Sequence, residues 1–456
     1  MADDPRARLK EWLASGQARL VPLTFPQREL WETAPVPPAD PGNNIRSLLD
    51  IRGPLTRALC EDAMRLVIAR QEVLRTSILP GKERPVQLVR TAAEPALTYR
   101  ELDLPDGNED ALLAAAADHF DLPFDLVKGP LYRLDMIRRG PDHFALALTI
   151  HHSIADGWTV TSFVEDFCTA CIIVWRNSGK DMSRLQGLRD ALPDLPVTYA
   201  AWGAAERARW TPEEIASHAA HWRQRLAGSA PVFASAGSEL GSVENWLTHL
   251  PADLAEPVRA LARREGATLF ETLLAAFRVA LFLWNGTRDA VVGTPVAGRA
   301  KTNLRETMGY FSGIVPLRGS IDADRPFRET LQQVHREAVD DLARAMPFAE
   351  LAAAVEQDTP RRRHAVYDVR FAVQNHPFPG IEIPGISTKL RTISSGTTRF
   401  DLACELTEDG KKMELIWMFR PTAVTRKEVE ALDRIYRIVL STVARDPALP
   451  PAGIEV

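Results

Sequence analysis

His151-His152-Ser153-Ile154-Ala155-Asp156-Gly157 joins two segments of different period. Before it runs His143-Phe-Ala-Leu-Ala-Leu-Thr-Ile150, near-continuously apolar and of strand length, as expected of a buried strand. After it, Thr159 to Trp175 returns to helical spacing. The heptapeptide is therefore a strand–loop–helix junction, the place where open sheets present reactive groups on a fixed scaffold. A histidine there can accept or donate a proton near neutral pH. An aspartate four residues beyond His152 can orient a ring or pair with a cation. Gly157 permits a close backbone approach, and its N–H, near a helix N-terminus, can face a developing oxyanion. The plainer alternative is a turn carrying two core or surface histidines. A metal site is disfavoured, because His152 and Asp156 supply two ligands and no third lies nearby in sequence.

Outward from this junction, the first 20 residues, Leu55–Thr76 and Ala111–Phe120 read as helices. Asn177 to Pro196 mixes Ser, Gly, Asp, Pro and charge, and suits a connection between lobes. Beyond it, helices are expected near Pro212–Leu226, Thr268–Trp284, Pro326–Ala343 and Thr425–Ala444. Strands are expected at Ala290–Val296, Tyr367–Gln374, Phe400–Leu406 and Met413–Arg420. Asp409-Gly410 signals a hairpin between the last two. Gly228 to Glu244 reads as a loop. The fold class is α/β (α+β), with a sheet and large helices in each of two lobes.

Composition sets the outer limits. The chain has 456 residues, 25 % charged and 45 % hydrophobic, which suits an ordered globular protein. A formal net charge of −5 gives no general attraction to nucleic acid or an anionic membrane. Four cysteines (Cys60, Cys168, Cys171 and Cys404) are no disulfide framework and suggest a reducing compartment. The N-terminus leads into no apolar h-region, and the most apolar stretch, Leu269–Trp284, contains Glu271 and Arg278. A soluble, cytoplasmic protein is expected. No G-x-x-x-x-G-K-[ST], post-strand G-x-G-x-x-G or G-x-S-x-G is present. Cys168-x-x-Cys171 lies within an apolar helix and reads as core. His218 and His221 read as a solvated helix face, and Arg361-Arg-Arg-His364 as a solvated basic cluster, for which a carrier-protein contact is the alternative.

Further motifs appear in order. They are Leu23-Thr-Phe-Pro-Gln27-Arg28-Glu-Leu-Trp31, Arg70-Gln71-Glu72-Val-Leu74-Arg75-Thr76, Tyr199-Ala-Ala-Trp202, Met308-Gly309-Tyr-Phe311-Ser312-Gly313, Pro347-Phe348-Ala-Glu350 and Tyr367-Asp-Val-Arg-Phe371. With His151–Gly157 they resemble the H-H-x-x-x-D-G and flanking motifs of the condensation domain of nonribosomal peptide synthetases, in the chloramphenicol-acetyltransferase-like superfamily. The resemblance covers nearly the whole chain. It departs at Gln71, where the family usually has histidine, and at Ser312-Gly313, where it has Val-Asn.

The resemblance implies two chloramphenicol-acetyltransferase-like lobes in a V, residues 1–177 and 197–456, connected by 178–196 and enclosing an active-site tunnel. It implies His152 as catalytic, with Asp156 and Gly157 completing the site. His151 would pack beneath, and Asp156 would pair with an arginine of the second lobe, for which Arg299 is the candidate. Arg75 is either site support or a helix-end cation. Trp158, Ser312, Ser394, Ser395 and Thr397 are candidates for the tunnel wall, with core packing the alternative for Trp158. The implied activity is that of a free-standing condensation enzyme. It would transfer an acyl or aminoacyl thioester from a separate acyl or peptidyl carrier protein to an amine or hydroxyl, on a small molecule or a second carrier. No cofactor or metal is expected; the phosphopantetheine arm would belong to the carrier. An acyl-coenzyme A-dependent transferase and a non-catalytic docking module are the alternatives.

Overall fold

The computed structural model describes residues 5–32, 37–102, 109–177, 192–233, 243–299, 302–356, 366–374, 387–393 and 400–456. In chain order, the first half comprises α1 (Pro5–Ala14), β1 (Ala18–Pro22), α2 (Phe25–Glu32), β2 (Asn44–Arg52), α3 (Arg57–Arg70), β3 (Thr76–Leu79), β4 (Val86–Arg90), β5 (Leu97–Glu101), α4 (Glu109–Phe120), β6 (Tyr132–Gly140), β7 (His143–His151) and α5 (Gly157–Arg176). The second comprises α6 (Tyr199–Arg209), α7 (Pro212–Leu226), β8 (Glu244–Leu250), α8 (Ala252–Arg264), α9 (Leu269–Asn285), β9 (Asp289–Val296), β10 (Gly313–Ser320), α10 (Phe327–Ala343), α11 (Phe348–Glu356), β11 (Val369–Gln374), β12 (Ser387–Ile393), β13 (Leu402–Asp409), β14 (Lys412–Phe419) and α12 (Arg426–Arg445).

Strand β7 is buried at all nine positions. Its two faces explain the unbroken apolar run. Phe144, Leu146, Leu148 and Ile150 join the cluster built with α3 and α5. Ala145 and Ala147 face Leu112, Ala116 and Phe120 of α4. Helix α5 starts where Asp156 accepts the Thr159 N–H at 2.9 Å, an N-cap. It then buries Val160, Phe163, Val164, Phe167, Cys168, Cys171 and Val174 at helical spacing. This helix is long and apolar enough to cross a membrane, but 61 % of its apolar window is buried inside the protein.

Among the described residues three sheets form, in the orders β1-β4-β3, β12-β2-β7-β6-β5 and β10-β9-β11-β13-β14-β8. The halves are interleaved. Strand β12 leaves the second half to pair antiparallel with β2, Leu390 opposite Leu49. Leu304, Met308 and Phe311 of the second half are buried in the first half's core. Of the connection at 178–196, only 192–196 is described, with Leu192 in that core and the Pro193 carbonyl accepting from Arg70 Nε at 2.8 Å.

Local boundaries differ from the sequence expectation in two places. The N-terminal helix stops at Ala14, because Gly16 takes φ +73° and the chain turns into β1, which pairs with β4. The helix expected over Leu55–Thr76 ends at Arg70, and a 3-10 turn over Glu72–Arg75 leads into β3. Arg75 folds back to donate to the carbonyls of Ile68 and Ala69 at 3.2 and 3.4 Å and to that of Arg90 at 2.9 Å. It satisfies late helix carbonyls and ties them to β4, the helix-end role. The expected hairpin forms between β13 and β14, with Gly410 at φ +58°.

Candidate functional site

The junction His151–Gly157 is braced from below. The His151 ring joins the Pro38 carbonyl through Nε2 at 2.7 Å, and Nδ1 accepts the Ser153 N–H at 3.1 Å. A carbonyl only accepts, so Nε2 carries a proton. The Ser153 hydroxyl completes the contact at 2.7 Å from Nδ1. Gln27 holds the same turn, donating through Nε2 to the Ser153 carbonyl at 2.8 Å. The two histidines therefore have different surroundings. His151 is fully buried and committed to the backbone around it, while His152, one residue on in the 3-10 turn, is half-buried. The His152 ring stands against Tyr310, centroids 4.3 Å apart and planes at 60°.

Asp156 is brought together with Arg299. Its Oδ1 accepts from Arg299 Nη2 at 3.2 Å, and the two side chains are 4 % and 1 % exposed. Oδ1 also accepts from the Thr159 hydroxyl at 3.0 Å, and Oδ2 accepts the Phe311 N–H at 3.1 Å. Arg299 Nη1 donates to the carbonyls of Leu304 and Thr307 at 2.7 and 2.5 Å, and its guanidinium lies 3.9 Å from the Phe311 ring centroid. Burial draws the Arg299 guanidinium below its ordinary value and Asp156 opposes that shift. Every Asp156 oxygen is engaged by donors from α5, Arg299 or residue 311, so the carboxylate joins the two halves of the chain.

Segment 304–311 is fixed from several other sides. Gln71 donates to Asp166 Oδ2 at 2.8 Å and to the Glu306 carbonyl at 2.9 Å, and accepts the Met308 N–H at 3.0 Å. Arg70 adds ion pairs to Asp166 and Glu306. Tyr199 OH donates to the Tyr310 carbonyl at 2.8 Å and meets the Thr24 hydroxyl at 2.8 Å. Burial pushes the Tyr199 phenol far up, so it stays protonated. Gly309 takes φ +156°, and a Cβ there would come within 2.2 Å of the Tyr199 ring, so glycine is required. Arg28 of the first half pairs with Glu350 of the second at 2.9 Å.

The remaining sequence candidates scatter. Gly157 opens α5 and is exposed. Trp158 is half-buried at the seam, its indole N–H donating to the Arg305 carbonyl at 2.9 Å. Ser312 is half-buried just before β10. Arg75 is engaged at the end of α3, as described above. Ser394, Ser395, Thr397 and the cluster Arg361–His364 lie outside the described residues, as do 234–242 of the expected loop. Cys168 and Cys171 are buried, as their helical setting predicts. His218 is engaged by the Arg344 carbonyl at 3.0 Å rather than solvated. His221 Nε2 is also buried, and the ring lies beside Asp340 and Asp341, but those carboxylates are paired with Arg344 and Arg225. Sequence reasoning passed over Tyr310 and Thr159. Tyr310 lies inside a quoted motif, but only the fold brings it to His152.

This chain belongs to the condensation domain family, whose model matches residues 17–455. Its relatives are nonribosomal peptide synthetases. Phosphinothricin tripeptide synthetase PhsC of Streptomyces viridochromogenes is 29 % identical over 450 residues, covering 96 % of this chain and 40 % of that protein. Chondramide synthase cmdD of Chondromyces crocatus is 25 % identical over 445 residues, covering 94 % of this chain and 11 % of that one. The chain thus spans less than half of these relatives. Among solved structures, the X-domain from teicoplanin biosynthesis superposes with a TM-score of 0.80 at 23 % identity, covering 95 % of this chain and 97 % of that one. The first condensation domain of the CDA synthetase gives 0.75 at 22 %, covering 96 % and 99 %. The fold is therefore that of condensation domains.

Proposed function

We propose that this chain catalyses acyl transfer from a carrier-protein-bound phosphopantetheine thioester to an amine or hydroxyl acceptor, giving an amide or an ester. The observation that carries this reading is the division of labour within the histidine pair. His151 is spent on the turn, and His152 stands half-buried on a rigid junction with its ring packed by Tyr310.

The acceptor nitrogen or oxygen attacks the thioester carbonyl. A tetrahedral intermediate forms, the carbon–sulfur bond breaks, and the acceptor's proton ends on the departing thiol. His152 orients the nucleophile and relays that proton. The Gly157 N–H, at the N-terminus of α5, is the nearby backbone donor for the oxyanion. Holding donor and acceptor together supplies the rest of the acceleration. The thiol arm arrives with the carrier, so no resident cofactor is invoked.

A docking role is the second reading, favoured by the solved complex of the X-domain and OxyB, whose X-domain chain matches this fold with a TM-score of 0.78. The test is loss of acyl mass from a panel of acyl-loaded carrier proteins, followed by intact-protein mass spectrometry with mixed amine and alcohol acceptors. Acceptor-dependent discharge is expected. Turnover of acyl-coenzyme A alone would move the chain to the coenzyme A-dependent transferases, and binding of carriers without any turnover would favour docking.

A further inference from the structure

We infer that Tyr310 is a positioning residue for His152, its aromatic ring setting the orientation of the imidazole; this rests on the acyl-transfer reading. His152 and Tyr310 meet although their segments are far apart in sequence. Tyr310 is 4 % exposed, and its ring centroid is 4.3 Å from that of His152. An imidazole turns about two side-chain bonds, and the second has a broad, roughly two-fold profile. A turn that fixes the backbone of His152 therefore leaves the ring's direction to its neighbours.

Both partners are anchored through their backbones. The His152 turn is held by His151, Ser153 and Gln27. The Tyr310 carbonyl accepts from Tyr199 at 2.8 Å. On either side of Tyr310, the Phe311 N–H donates to Asp156 at 3.1 Å and the Gly309 N–H to the Thr159 hydroxyl at 3.0 Å. Asp156 and Thr159 belong to the same strand–loop–helix junction as His152. The junction thus grips the backbone around Tyr310 while the Tyr310 ring packs on the junction's histidine. A displacement of either segment is passed directly to the ring pair.

The test uses Tyr310→Phe, which keeps the ring, and Tyr310→Leu, which removes it at similar bulk, with Tyr310→Met in reserve if the leucine variant fails to fold. Two readouts are taken on the intact chain. The first is the histidine ring region of the NMR spectrum, with His152 assigned through His152→Ala. Ring-current displacement of the His152 signals is expected in wild type and Tyr310→Phe and is expected to collapse in Tyr310→Leu. The second is steady-state acyl transfer. A misplacement of about 1 Å can cost on the order of 100-fold in rate. Tyr310→Leu is therefore expected to lose roughly 10- to 100-fold in kcat with KM within about threefold, and Tyr310→Phe to recover most of the rate. Unchanged His152 signals in Tyr310→Leu, a wild-type kcat in that variant, or an equal loss in Tyr310→Phe would overturn the inference. A wild-type chain inactive with every donor would instead defeat the acyl-transfer reading, and the NMR comparison would still decide the ring packing.

Discussion

At the scale of single residues, Asp156 joins the two halves of the chain through a buried ion pair with Arg299. Its carboxylate and the Arg299 guanidinium are almost wholly withdrawn from water and depend on each other. Removing one partner of such a pair leaves the other charge buried and unmatched, at a cost of about 3–5 kcal/mol. Asp156→Ala is expected to lower the stability measured by urea denaturation by that amount; a loss under about 1 kcal/mol would mean the pair is dispensable. The cysteines give a second residue-scale expectation. Burial pushes the Cys60 and Cys168 thiols up to about 12, and those of Cys171 and Cys404 also rise. At pH 8 the thiolate, the reactive form, is therefore scarce in the folded chain. Iodoacetamide is expected to leave all four untouched in the native protein and to modify all four in urea; rapid native labelling of any would contradict their placement. The Asp156–Arg299 pair was legible in the sequence through the motif resemblance. The Tyr310–His152 contact was not, because sequence distance hides which of two rigid loops will face each other.

At the scale of elements, period alone located the central strand and the helix after it. The run His143–Ile150 is apolar on both faces because helices cover both, and Asp156 marks the helix start by its capping chemistry. Most expected strands and helices of the second half fall within a few residues of their places. The misplaced ends are those set by tertiary contacts. Helix α3 stops short because Gln71 is needed elsewhere, bridging Asp166, Glu306 and Met308. Strand β12 has little apolar patterning and is defined by its partner β2. Gln71→Leu removes three hydrogen bonds at once, two of them buried. It is expected to destabilise the chain by about 1–3 kcal/mol and to speed amide exchange at 308–311 while leaving the centre of β7 protected. Unaltered exchange at Met308 would show that the remaining contacts from Arg70, Arg299, Asp156 and Tyr199 suffice to hold the segment.

At the scale of the whole molecule, the candidate site sits on a seam. The junction comes from one half of the chain, and Arg299, Met308, Tyr310 and Phe311 come from the other. The Arg28–Glu350 pair and the β12–β2 pairing tie the same halves elsewhere. Neither half alone can present His152 with its ring packed and Asp156 satisfied. The most direct measurement compares acyl-carrier discharge at saturating acceptor by wild type and by His152→Ala, alongside carrier binding by each. Loss of a positioned acid–base group costs typically about 10²–10⁴-fold, so His152→Ala is expected to fall by that factor with carrier affinity within about threefold of wild type. Discharge at the wild-type rate by His152→Ala, with binding intact, would contradict a catalytic role for this histidine.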